Sequence, residues 1–298
     1  MYPKWQILAT GGAIGDCLFL FCSGFTLFTR PPVSFGEYYK RRINRIYPSV
    51  FASAVFIQII TRNAEINYMT LLGGEFIIAI MIYYVLLYFV NKYAVDKVPG
   101  LLLLLSVVSL AVYILWFPYK YETGINGIYG ITTYYRWIPY FAAMLMGAYV
   151  GRKRPEMKFH GWRDFALLLI GILAFYSIQF ASRLYPSVAP FQVITLLPLM
   201  GITYYLYKLC NVNWIVQLYK KKVGNAVIMF VGGLCLESYL IQNVLFTDRM
   251  NGIWPLNLII IVCVILICSY VVRCFARLFS QTFRNVGDYE WKQIFSLY

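Results

Sequence analysis

The sequence predicts an all-α fold, a polytopic integral membrane helical bundle with about nine transmembrane helices. The 298 residues are 61% hydrophobic and 13% charged, and the mean hydropathy is +0.66, which excludes an ordinary soluble domain. Apolar runs of about 20 residues, the length that crosses a bilayer, recur along the chain. Basic residues are concentrated between alternate runs, as they are in the cytoplasmic loops of membrane proteins.

Nine candidate spans follow from the hydropathy pattern. The second is the weakest, because it is short and begins near Pro48, which a helix tolerates only in its first turn. The chain to residue 272 is expected to form a single transmembrane domain, and residues 273–298 a cytoplasmic amphipathic tail on the inner leaflet. The spans lie near residues 6–28, 46–61, 68–90, 98–117, 132–150, 164–182, 190–210, 223–246 and 253–272.

Loop charge selects one of the two ways to thread nine spans. With the C-terminus inside, 20 of the 26 basic residues fall on the cytoplasmic side or at the adjoining helix ends. This distribution follows the positive-inside rule and places the N-terminus outside. A first span that starts outside without a preceding segment is unusual, so we expect an upstream span to be missing from the chain. The cytoplasmic segments are 29–45, 91–97, 151–163, 211–222 and 273–298, with Lys208 beside them.

The net charge of +14 does not predict nucleic-acid binding, because no recognition module accompanies it. The seven cysteines lie in or beside apolar runs, without a CxxC pair or a neighbouring histidine, which indicates packing residues rather than disulfides or a metal site. The sequence contains no GxxxxGK[ST] phosphate loop, HExxH or EF-hand pattern. No metal is therefore expected.

Charged residues inside the predicted spans are candidates for function, because burying a charge in a bilayer is costly. Asp16, Glu75, Arg136 and Glu237 meet this criterion. The alternative is that they pair across helices and only hold the bundle together. The one histidine, His160, lies in a basic loop and is read as a surface residue.

Four segments together resemble the membrane-bound acyltransferase-3 family. "GDCLFLFCSGFTLF" is similar to its D-L-F-F-V-L-S-G-F helix, and "FGEYYKRRINRIYP" to F-x-x-F/Y-x-x-R-R-x-x-R-I-Y-P. "RWIPYFAAMLMGAYVGR" resembles the family's P-Y-F segment with its spaced glycines, and "LCLESYLIQ" its I-S-L-E-x-Y-L-I-H/Q segment. The four occur in the family's order over residues 15–246.

The resemblance implies a membrane O-acyltransferase of the bacterial plasma (inner) membrane. Such an enzyme transfers an acyl group, here expected to be acetyl, from cytoplasmic acetyl-CoA or another acyl-CoA to a hydroxyl of a cell-surface or exported glycan. The implied partners are acyl-CoA, a glycan or lipid-linked saccharide acceptor, and membrane lipids, with no nucleic acid.

The resemblance also implies roles for individual residues. Arg42 and Arg45 correspond to the family's R-x-x-R, which is assigned to acyl-CoA binding, and Ser23 of the S-G-F motif is a third donor-binding candidate. Two arginines three positions apart at a helix start share a face, and guanidinium groups bind phosphate bidentately. Glu237 and Gln242 are the candidates for supporting the chemistry.

One departure from the family leaves alternatives open. The family's catalytic histidine lies on the helix before the S-G-F helix, and the chain has His160 alone. We therefore expect nine spans where the family has ten, and an inactive, truncated chain is one reading. A non-catalytic glycan or lipid carrier, with Asp16, Glu75 and Glu237 along its pathway, and a pseudoenzyme scaffold are the others.

Overall fold

The computed structural model describes residues 10–29, 31, 33–62, 68–116, 133–283 and 287–297. Within these ranges the chain is helical and has no strand, which confirms the predicted all-α class. The helices are α1 Gly12–Phe25, α2 Phe35–Thr61, α3 Tyr68–Leu71, α4 Gly74–Tyr93, α5 Val98–Trp116, α6 Thr133–Lys153, α7 Gly161–Leu184, α8 Leu196–Cys210, α9 Asn213–Lys220, α10 Lys222–Gly233, α11 Cys235–Leu245, α12 Leu256–Thr282 and α13 Trp291–Ile294.

Six described helical segments are long and apolar enough to cross a membrane, and they include α2, α4, α5, α7, α8 and α12. A seventh span results if α10 and α11, which meet at a bend of 61°, are counted as one broken crossing. The predicted spans near 6–28 and 132–150 correspond to α1, which is shorter, and α6, which carries more polar residues. The structure therefore confirms a polytopic helical bundle, and the predicted count of nine is not confirmed.

The helices form two compact units. The first comprises Met1–Val33 and Tyr83–Val216, and the second comprises Ser34–Ile82 and Gln217–Tyr298. In the first unit, α1 packs on α6 and α8, α5 packs on α6, and α7 packs on α8. In the second unit, α2 packs on α11 and α12, and α11 packs on α12.

Helix α2 begins earlier than predicted. The segment 29–45 was predicted as a loop, but α2 starts at Phe35, after Ser34, whose hydroxyl accepts a hydrogen bond from the Glu37 backbone N–H at 3.4 Å. Serine followed three residues later by glutamate is a recognised helix-start pattern. The basic cluster is therefore helical, which fixes the face that each of its side chains occupies.

Pro48 lies well inside α2 rather than in the first turn of a short span. A proline there has no N–H to donate to the carbonyl of Asn44, which ordinarily weakens a helix. The helix continues because its next turns are held by packing, with Ser49, Val50 and Ala54 buried.

The predicted boundary at residue 272 falls within a helix. α12 runs without interruption from Leu256 to Thr282, because Val272 and Ala276 are buried and the ring of Phe279 packs on Phe51 of α2, with centroids 5.6 Å apart. The residues after α12 form a separate segment, which contains α13.

The contact between α1 and α6 depends on glycine. A Cβ atom at Gly24 would overlap the backbone carbonyl of Met144, and one at Gly147 or Gly151 would overlap the carbonyls of Phe21 and Phe25. The two backbones therefore touch over two turns, as in the small-xxx-small contacts of membrane helices. The glycines of the S-G-F and P-Y-F segments are explained by this approach.

Replacing Gly24 by alanine should destabilise the first unit, because the added methyl group meets backbone that cannot rotate away. We expect a loss of at least about 1–3 kcal/mol, the usual effect of overpacking a well-filled interface. The matched control is Gly15→Ala on the same helix, where a Cβ meets nothing within 4 Å. Thermal unfolding in detergent should show a lower midpoint for the first variant only, and equal midpoints would contradict the close-contact interpretation.

Candidate functional site

The basic side chains in the N-terminal turns of α2 differ in their contacts and in their exposure. Arg41 forms an ion pair with Glu37, four positions before it. Arg42 lies half-buried with its guanidinium carbon 5.2 Å from the centre of the Tyr38 ring, and Arg45 is exposed. Because Glu37 neutralises Arg41, the positive charge offered by this part of α2 comes mainly from Arg42 and Arg45, together with exposed Lys40.

Ser49 lies on the same face of α2 as Arg42 and Arg45. Positions 42, 45 and 49 follow the i, i+3, i+7 spacing that places residues along one side of a helix. Ser49 is buried, and its hydroxyl donates a hydrogen bond of 2.7 Å to Oε1 of Glu237 on α11. The two arginines are therefore followed along the helix by a buried carboxylate.

Glu237 lies in the first turn of α11, directly after the bend that separates it from α10. Its side chain is 5% exposed, and a carboxylate at this end of a helix is stabilised by the helix dipole. Oε2 is buried and has no hydrogen-bond partner among the described residues. An unsatisfied buried carboxylate oxygen is unusual and indicates a place for a donor group.

Arg273 is a site residue that the sequence reasoning missed, since it was counted only as part of the cytoplasmic charge. Its guanidinium lies against Gly233 at the end of α10, where a Cβ atom would overlap Nη1. Nη1 is buried and donates no hydrogen bond within the described residues. The available signal was the Gly232–Gly233 pair in an apolar run, which marks a break in a membrane helix.

The remaining predicted site residues are Gln242 and Ser23. Gln242 is five positions after Glu237, so its side chain lies about 140° around α11. Ser23 belongs to the first unit, where its hydroxyl and that of Tyr84 are 2.5 Å apart. Within the second unit, Arg42, Arg45 and Ser49 lie on one face of α2, and Ser49 connects that face to Glu237.

The other charged candidates have structural explanations. Asp16 accepts a hydrogen bond of 2.7 Å from the Tyr140 hydroxyl, which joins α1 to α6. The guanidinium carbon of Arg136 lies 6.0 Å from the centre of the Tyr140 ring. Glu75 is exposed in the first turn of α4, at the start of a candidate span.

His160 is exposed and immediately precedes α7. Its backbone N–H donates to Oδ2 of Asp164 at 2.7 Å, and its ring nitrogen Nδ1 lies 3.2 Å from Nη2 of Arg163. Asp164 is fully buried and also accepts a 2.9 Å hydrogen bond from Nζ of Lys208. These contacts fix the start of α7 against α8, and they give the histidine no catalytic partner in the described residues.

The apolar helices long enough to cross a membrane define a polytopic helical integral membrane protein. A model of the acyltransferase-3 family, described as an acyltransferase domain, matches residues 2–274. The chain therefore belongs to the acyltransferase-3 family and carries the domain of a membrane acyltransferase. No curated protein and no solved structure matches the chain.

Breaking the Lys208–Asp164 pair should destabilise the protein strongly, because it leaves the buried carboxylate with only the more distant and exposed Arg163 as a cation, 3.7 Å away. For Lys208→Met we expect a loss on the order of 3 kcal/mol. Lys153→Met is the matched control, since Lys153 pairs with Glu156 on the surface and should change stability little. Thermal unfolding of the two variants measures the difference, and similar midpoints would show that the buried pair has no special role.

Proposed function

We propose that the chain binds an acyl-CoA, acetyl-CoA in the first instance, through Arg42 and Arg45. The acyl group would pass to a hydroxyl of a cell-surface or exported bacterial glycan, free or linked to a lipid. The observation that carries the proposal is the single face of α2 on which Arg42, Arg45 and Ser49 lead from exposed positive charge to the Glu237 carboxylate.

The chemistry of the donor fits this face. CoA carries a pyrophosphate and a 3′-phosphate, and arginine binds such groups through paired hydrogen bonds in a fixed planar geometry. The ion pair of Arg41 with Glu37 removes a competing charge from the neighbouring position. Because Arg45 is exposed, a phosphate can reach it without displacing a protein contact.

The cellular setting follows from the charge of the loops. Most basic residues lie in segments that the positive-inside rule assigns to the cytoplasm, including the start of α2. Acyl-CoA is a cytoplasmic metabolite, so the donor would enter from that side. We accordingly propose the bacterial inner membrane as the location, with the C-terminus in the cytoplasm.

The transfer breaks the thioester C–S bond of the donor and forms an ester C–O bond on the acceptor. The proton lost by the acceptor hydroxyl ends on the thiolate that leaves, so no other reactant is consumed. The hydrogen bond from Ser49 holds Glu237, and under this proposal its carboxylate contacts the donor. Binding of the donor does not require the histidine that the family pattern places on an upstream helix, and donor binding is therefore the property to test first.

Replacing Arg42 and Arg45 together by alanine should weaken CoA binding by roughly a hundredfold, because each lost charge-assisted hydrogen bond contributes about 1.5–3 kcal/mol. Binding of CoA and acetyl-CoA would be measured by titration calorimetry on protein in nanodiscs. Wild-type affinity should also fall as salt is raised, since the contacts are ionic.

Arg41→Ala is the matched control for this experiment. It removes the same charge from the same helix turn, but at a position already paired with Glu37, and should change the affinity by only a few-fold. If the double variant binds CoA as the wild type does, the proposed donor site is wrong. Ser23→Ala tests the remaining donor-binding candidate in the same assay.

A further inference from the structure

Two buried polar atoms at the break between α10 and α11 have complementary chemistry. Oε2 of Glu237 can only accept a hydrogen bond while the carboxylate is ionised, and Nη1 of Arg273 can only donate one. Neither has a hydrogen-bond partner among the described residues. Because buried polar groups in native proteins are nearly always paired, the two atoms indicate a missing group that offers both an acceptor and a donor.

Several contacts hold the two side chains in the same part of the second unit. The guanidinium of Arg273 lies against Gly233, four residues before Glu237 along the broken crossing. Ser238, next to Glu237, has its hydroxyl 2.9 Å from that of Ser269, one turn before Arg273 on α12. The two side chains therefore lie in the same part of the second unit, beside the break between α10 and α11.

The break itself supports a ligand at this point. Irregular backbone at membrane depth is tolerated where it is buried in protein or lines a cavity. The bend of 61° between α10 and α11 directs the first turn of α11, with Glu237, away from the axis of α10. Gly232 and Gly233 are both exposed, so the backbone on the α10 side of the break is open.

We propose that Glu237 and Arg273 bind an amide of the pantetheine arm of the acyl-CoA, with Oε2 accepting from the amide N–H and Nη1 donating to the amide carbonyl. The inference rests on the proposed function and adds to it a second contact region for the same donor. A trans amide carries its donor and its acceptor on opposite edges, and so it can satisfy a carboxylate on one side and a guanidinium on the other. A phosphate here would be repelled by Glu237, and a metal cation by Arg273.

The distances along α2 agree with this assignment. Ser49, which holds Glu237, lies four residues after Arg45 and seven after Arg42, or roughly 6–10 Å along the helix axis. The first pantetheine amide is a chain of about six covalent bonds from the nearer phosphorus, which extends over roughly 7 Å. A donor whose pyrophosphate is bound by the two arginines therefore brings its first amide to the depth of Glu237.

The test compares CoA with 3′-phospho-ADP, which has the same nucleotide and phosphates but lacks the pantetheine arm and has a further ionisable oxygen on its terminal phosphate, on the full chain in nanodiscs. For the wild type, CoA should bind at least about tenfold more tightly, which corresponds to 1.4 kcal/mol. Arg273→Gln should bring this ratio close to one and leave 3′-phospho-ADP binding nearly unchanged. Any general effect of the lost Arg273 charge on phosphate binding acts on both ligands alike. The ratio of the two affinities therefore reports on contacts with the pantetheine arm.

A glycine pair supplies a milder variant with its own control. Gly233→Ala places a methyl group where the Arg273 guanidinium lies, so the flexible arginine must move away while the fold persists. At Gly232 a Cβ meets nothing within 4 Å. We expect Gly233→Ala to lower the CoA preference as Arg273→Gln does, and Gly232→Ala to retain it.

The outcomes separate this inference from the proposed function. If both ligands bind and Arg273→Gln leaves the ratio at its wild-type value, the pantetheine contact is wrong and the phosphate site stands. If neither ligand binds the wild type, the proposed function fails and the pantetheine contact fails with it. Arg42→Ala with Arg45→Ala should weaken both ligands equally, and an unequal loss would also contradict the division of the donor between the two regions.

Discussion

The hydrogen bond from Ser49 to Glu237 is the contact on which the candidate site depends. It connects the basic turns of α2 to the first turn of α11, and it fixes one oxygen of a carboxylate that would otherwise be very costly to bury. With Oε1 held, Oε2 points to a defined place beside the bend. The arginines of α2, the helix break and Arg273 become parts of one arrangement through this bond.

Polar groups in a membrane need partners within the protein. In the first unit, the buried carboxylates find these partners in other ways. Asp16 is paired with Tyr140, and Asp164 is paired with both Lys208 and a backbone N–H. These carboxylates have partners, and their contacts connect neighbouring helices. Glu237 also joins two helices through Ser49, but it differs from these carboxylates because its Oε2 has no hydrogen-bond partner among the described residues.

Much of the architecture was predictable from local patterns. The helical class follows from the long apolar runs, and the shared face of Arg42 and Arg45 follows from their spacing within a helix. The start of α2 was also encoded locally, in Ser34 and Glu37, but the density of charge favoured a loop. The Gly232–Gly233 pair indicates the bend, but the approach of Arg273 to Gly233 could not be predicted, because it depends on a contact between residues 40 positions apart. The role of Gln242 stays a prediction, and its helix face differs from that of Glu237 as the spacing of five residues indicates.

Side chains of α12 hold the residues that follow it by their backbone carbonyls, a mode of contact that does not depend on which side chains those residues carry. Nη1 of Arg277 donates to the backbone carbonyls of Gln293, Ile294 and Ser296, and the Tyr270 hydroxyl donates to that of Phe295. Every amino acid carries such a carbonyl, so the segment can stay docked while most of its side chains drift, provided that its backbone path is kept.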